Sequence, residues 1–86
     1  MENHPSRPTI EYPCEWKFRV LGEAESRLRE VIAEVLSDRP HQVTAGNVSS
    51  GGKYCSVEAA AEVLTEADRD LIFAAMAGSE GVKAVV

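Results

Sequence analysis

Three patterns in the sequence predict a small α+β domain whose elements run strand, helix, strand, strand, helix, strand. Stretches 14–21 and 54–63 alternate apolar and polar residues, the period of two of a half-buried strand. Stretch 23–36 and the residues after Thr65 repeat apolar groups at the spacing of one helix face. A Ser-Gly cluster at 49–52 sits between two strand-like stretches, where a hairpin turns. With right-handed crossovers this order has one common solution. It is an antiparallel four-stranded sheet in the order 4-1-3-2 with both helices on one face, a ferredoxin-like βαββαβ sandwich.

Taken in order, residues 1–9 hold two prolines and no apolar pattern, so they are expected to be a flexible tail ahead of one domain at 10–86. In the first strand Cys14, Trp16, Phe18 and Val20 share one side, and Glu15, Lys17 and Arg19 the other. Gly22 ends it. Ala24, Leu28, Val31, Ile32, Val35 and Leu36 form the stripe of the first helix. Glu23 with Arg27 and Glu25 with Arg29 are i,i+4 pairs in the favourable order. Ser37-Asp38-Arg39-Pro40 stops that helix, because proline disfavours helix in itself and in the residue before it.

Gln42 to Val48 reads as a weaker strand and Tyr54 to Val63 as its return. Cys55, Val57, Ala59, Ala61 and Val63 share one face of the return strand, and the small alanines let a helix approach. Thr65-Glu66-Ala67-Asp68 is a capping box for the second helix, with Leu71, Ile72, Ala75 and Met76 as its expected buried stripe. Gly78 stops it, and Val82 to Val86 is a last short strand.

The chain has 86 residues, and 44% of them are hydrophobic, enough for one thin core. Its formal net charge is −5, which opposes nucleic-acid backbones and anionic lipid. No apolar run approaches the ~20 residues that cross a bilayer, and the first residues hold no signal-peptide core. The expectation is a cytoplasmic protein that binds neither nucleic acid nor membrane.

Several stretches together resemble the YbeD-like family of small bacterial proteins. They are Tyr12-Pro13, the run Lys17-Phe18-Arg19-Val20-Leu21-Gly22, the hairpin Ser49-Ser50-Gly51-Gly52-Lys53-Tyr54-Cys55-Ser56-Val57, and Val82-Lys83-Ala84-Val85-Val86. The resemblance implies a ferredoxin-like fold similar to that of ACT domains, the small-metabolite regulatory modules of amino-acid enzymes. It brings no catalytic residues with it. Cys14 and Cys55 depart from its pattern, so it gives those thiols no role.

Each chemical motif has a plainer explanation in the fold. Cys14, Cys55, His4 and His41 are not spaced as metal ligands, and neither metal nor cofactor is expected. The two cysteines start antiparallel neighbours, so they should lie at opposite ends of the sheet, too far apart for a disulfide. The Ser49 to Lys53 loop lacks the glycine and hydroxyl positions of a phosphate loop, and strand follows it where helix is needed. The open sheet face should carry Lys17, Arg19, Ser56, Glu58 and Glu62, with no aromatic on which RNA bases could stack. No serine, histidine and acid stand in an evident catalytic arrangement, and no enzyme is expected.

What remains is recognition. The expectation is a non-enzymatic regulatory module that senses an amino-acid-like metabolite or modulates a metabolic enzyme, by analogy of fold. Gly22 would mark the ligand end, and Ser50, Gly52, Lys53 and Tyr54 the contact loop. The rival is a protein–protein adapter acting through the edge strand at 42–48 with no small ligand. An open edge on so small a core is also compatible with a homodimer.

Overall fold

The computed structural model describes residues 10–48 and 51–86. The expected tail and the Ser49-Ser50 part of the hairpin lie outside the described residues. The elements follow the expected order: β1 (Cys14–Gly22), α1 (Glu25–Leu36), β2 (His41–Val48), β3 (Cys55–Val63), α2 (Glu66–Ala77) and β4 (Val82–Val85). The sheet runs β2-β3-β1-β4, which is the predicted order read from the other edge. Every pairing is antiparallel, so β1 and β3 are central and β2 and β4 are edges.

One side of β1 and β3 meets both helices. Phe18, Val20, Val57 and Val63 are wholly buried there against Leu28, Val31 and Ile32 of α1 and Met76 of α2. Phe18 and Phe73 meet edge to face with ring centroids 6.0 Å apart, a favoured aromatic geometry. On the bare side Arg19 stands directly opposite Glu58, as the alternation requires.

The helices differ from expectation in two details. α1 starts at Glu25 with Ala24 as its N-cap, so Ala24 is exposed and Glu23 lies ahead of the helix. Arg27 therefore pairs with Glu30 rather than Glu23, while Arg29 holds Glu25 at 2.9 Å as expected. In α2 the buried groups are Ile72 and Met76, with Phe73 half-buried, whereas Leu71 is 71% exposed and Ala75 is exposed. Arg69 explains the rotation. Its guanidinium lies 4.8 Å from the centre of the Trp16 ring and donates to the Tyr12 hydroxyl at 3.2 Å. The face turned to the sheet is thus Arg69, Ile72, Phe73 and Met76, which carries Leu71 outward.

An ion pair ties the chain between α1 and β2 to the start of α2. Arg39 grips Asp68 with two hydrogen bonds, of 2.8 and 2.9 Å, and donates a third to the Glu62 carbonyl at 2.8 Å. Asp68 also completes the predicted capping box. Its amide donates to the Thr65 hydroxyl at 3.0 Å, and its carboxylate accepts from the Leu64 amide at 2.9 Å. The Arg39 hydrogen bond, helped by the Leu64 amide, holds the Asp68 carboxyl below its ordinary value of 3.8. A lowered folded value means stabilisation that is present above 3.8 and lost as pH falls through the folded value. Arg39→Met is expected to cost about 1–2 kcal/mol in urea unfolding at pH 7. The gap from the unsubstituted protein should narrow as the same measurement is taken below about pH 4, leaving the share of the Glu62 carbonyl bond; a gap independent of pH would contradict the pairing.

Candidate functional site

The chain crowds most tightly at the C-terminal end of β1. Gly22 pairs with Cys55 on one side and Val82 on the other. A Cβ at Gly22 would run into the Gly81 carbonyl oxygen and lie 2.8 Å from Leu28 Cδ2. Gly81 itself has φ of +93°, and a Cβ there would sit 2.6 Å from Arg27 Cγ. Arg27 lies across that glycine and donates from Nε to the Glu80 carbonyl at 2.8 Å. Two glycines and one arginine thus seat the loop before β4 against the start of α1.

Beside this seat is an open groove of about 440 Å³, lined by Glu23, Ala24, Arg27, Gly81, Val82 and Lys83. It opens at the N-terminus of α1. Ala24 supplies no capping side chain to the amides of Glu25, Ser26 and Arg27, and the positive end of the helix dipole lies there. Lys83 enters the groove through a bulge. The β1–β4 ladder steps from Leu21↔Ala84 to Gly22↔Val82 and leaves Lys83 with no opposite residue. Such an extra residue re-aims its side chain. Lys83 Nζ lies 6.0 Å from the centre of the Tyr54 ring, and Lys53 Nζ lies 5.5 Å from the same ring.

The structure brings Gly22, expected to mark a ligand end, and Lys53 and Tyr54, expected in a contact loop, to one end of the sheet. Gly22 is buried and acts there by permitting close packing, so the accessible lining is its neighbours. Gly52 is exposed with φ of +71° and makes the hairpin turn. Ser50 lies outside the described residues. Sequence reasoning missed Arg27, Gly81 and Lys83. The signal that was available is Gly81 itself, a glycine immediately ahead of a short strand.

A second hollow of about 500 Å³ is lined by Val35, Leu36, Arg39, Glu62 and Leu64 among others, but its arginine is already engaged by Asp68. Cys14 and Cys55 are free and lie at opposite ends of the β1–β3 ladder, opposite Val63 and Gly22. Among the described residues no group of three or more His, Cys, Asp or Glu is placed to hold a metal ion. No described helix is long and apolar enough to cross a membrane.

These features define a class: a small ferredoxin-like α+β sandwich, helices on one face and sheet bare on the other, with no buried polar side chain among its described residues. The chain belongs to the bacterial family described as a protein of unknown function, DUF493, which matches residues 7–86. An uncharacterised protein of Helicobacter pylori strain J99 is 35% identical over 75 residues, 85% of each chain. A UPF0250 protein of Shewanella amazonensis is 33% identical over 79 residues, 90% of each chain, in keeping with the YbeD-like resemblance. The solution structure of HP0495 from Helicobacter pylori superposes with a TM-score of 0.79 at 30% identity, over 100% of this chain and 94% of that one. The C-terminal domain of the MgtC protein from Mycobacterium tuberculosis superposes with a TM-score of 0.66 over 91% of this chain and 89% of that one. At 17% identity that likeness concerns the fold alone.

Gly22→Ala forces a methyl group against backbone and Leu28, so it should destabilise by about 1–3 kcal/mol in urea unfolding. An unchanged midpoint would show that this end of the sheet is looser than described.

Proposed function

We propose that the protein is a non-catalytic regulatory module of the cytoplasm that takes an amino-acid-like metabolite in the groove at the start of α1. The observation that carries this reading is the lining, which offers both signs of charge within one hollow. A carboxylate would accept from the first-turn amides and from Lys83, where the helix dipole favours negative charge. An ammonium group would pair with Glu23. The Tyr54 ring, with Lys53 Nζ at 5.5 Å and Lys83 Nζ at 6.0 Å from its centre, lines a neighbouring hollow with Arg19, Leu21 and Ser56. The charged side chains of the lining are one carboxylate and two cations, which suits ion pairing with a zwitterion. The ligand end of ACT-like modules corresponds to this end, and that analogy of fold supports the reading.

A second reading is a protein–protein adapter with no small ligand. The observation that favours it is the edge strand β2, whose outer side is unpaired among the described strands and whose Val48 is 65% exposed.

Thermal unfolding in the presence of amino acids and short organic acids separates the two. A ligand at about 100 times its dissociation constant stabilises by ~2.7 kcal/mol. That raises Tm by roughly ten degrees or more in a domain of this size. The expected result is a shift with one class of amino-acid-like compound that Lys83→Glu abolishes without lowering the unliganded Tm. A screen with no shift would remove the sensor and leave the adapter.

A further inference from the structure

We infer that the hollow beside Tyr54, on the bare face of the sheet, binds a small phosphate-bearing anion held by Arg19, Lys53 and Lys83. This hollow shares no lining residue with the groove at the start of α1, although Lys83 lines that groove and also approaches the Tyr54 ring.

Positive charge is spread unevenly over the chain. Arg27, Arg29, Arg39 and Arg69 each hold a carboxylate. The other described cations, Lys17, Arg19, Lys53 and Lys83, hold none among the described residues. A chain of net charge −5 has carboxylates enough to pair every cation, so composition does not force these to stay open. All but Lys17 gather at one end of the sheet. Lys53 Nζ and Lys83 Nζ lie 5.5 and 6.0 Å from the centre of the Tyr54 ring. Arg19 lines the same hollow as that ring. Glu58 stands across from Arg19 in the ladder and Glu23 shares the groove with Lys83, yet neither is in an ion pair with a described cation.

The backbone is shaped at the same end. Both edge strands bulge there, β4 at Lys83 and β2 between Ala45 and Val48. Bulges re-aim side chains and are common beside functional sites. The Ser56 hydroxyl accepts from the Asn47 amide at 3.0 Å and fixes the bulged part of β2 at the rim. Asn47 adds a side-chain amide to the lining, and Leu21 and Val48 add apolar surface. The hollow measures about 250 Å³, below the roughly 300–1,000 Å³ of pockets that enclose drug-sized ligands, so its occupant is small. Three cations match a dianion better than a lone carboxylate. A guanidinium fork with two ammonium point charges is a set that phosphate takes. Screening over about 8–10 Å lets a small anion feel this local charge, whereas a nucleic-acid strand would also meet the surrounding acids.

The test is an NMR titration of the full labelled chain with inorganic phosphate and, separately, with a nucleoside monophosphate, each against sodium chloride at equal ionic strength. The expected result is saturable shifts at Arg19, Leu21, Lys53, Tyr54 and Lys83 beyond those of chloride, with a dissociation constant on the order of 1 mM or tighter. Arg19→Gln and Lys53→Gln remove exposed charges, so each should keep the folded spectrum and weaken binding about tenfold. Lys17→Gln removes an open cation of the same strand that does not line the hollow, and binding should persist unchanged. A nucleotide that binds no tighter than phosphate assigns the site to the free ion. A tighter nucleotide assigns it to an ester whose ring lies against Tyr54, and either result supports the inference. Shifts no larger than those of chloride overturn it, as do shifts confined to Ala24 to Arg27. A Lys17→Gln effect as large as that of Arg19→Gln overturns it too, since the attraction would then be diffuse. The amino-acid reading of the groove is decided separately, by amino-acid titration of the groove's own amides.

Discussion

The nine-residue antiparallel ladder between β1 and β3 is the interaction on which the rest of the domain depends, because its register decides which side chains face the helices. It runs from Cys14 opposite Val63 to Gly22 opposite Cys55. A slip of one residue would turn Phe18, Val20, Val57 and Ala59 to the bare face and put Lys17, Arg19 and Glu58 under the helices. The cost of burying those charges without partners holds the register where it is. The candidate groove follows from where this ladder ends. Gly22 falls at its last step, β4 and α1 close over that glycine, and the groove opens beside them. On the far side of β3 the same register leaves β2 as an edge.

Much of this was legible in the sequence because it is carried by period and by local chemistry. The alternation from Cys14 to Leu21 marks β1, and Thr65 with Asp68 marks the start of α2, and both hold in the structure. Misreadings arose where a distant contact overrides the local pattern. Leu71 has the spacing of a core residue, but Arg69 stacked on Trp16 sets the rotation of α2 and leaves it outside. Glu23 has the spacing to pair with Arg27, but the helix begins after it and Arg27 turns to the Glu80 carbonyl instead. The candidate site was legible only as a place. Gly22, Lys53 and Tyr54 fall at the end of the sheet where the groove opens, whereas Lys83 owes its position to a bulge that exists only once β4 pairs with β1. The Arg39–Asp68 pair, 29 residues apart, has no local signature either.

The groove and the edge use different physics and sit at different places. The groove is small, polar at both ends of its charge range, and built on backbone positions that close glycine contacts fix. It suits a compact zwitterion better than a large apolar ligand. The edge is uncharged and keeps a regular register with β3 from His41 to Ala45.

The most direct test of the central claim is a map of backbone amide shifts in the NMR spectrum of the labelled protein during titration with individual amino acids. The account predicts saturable changes concentrated at Ala24 to Arg27 and at Gly81 to Lys83, with Tyr54 responding beside them. A spectrum unmoved by every amino acid, or moved only along β2 and the bare face of the sheet, would contradict it.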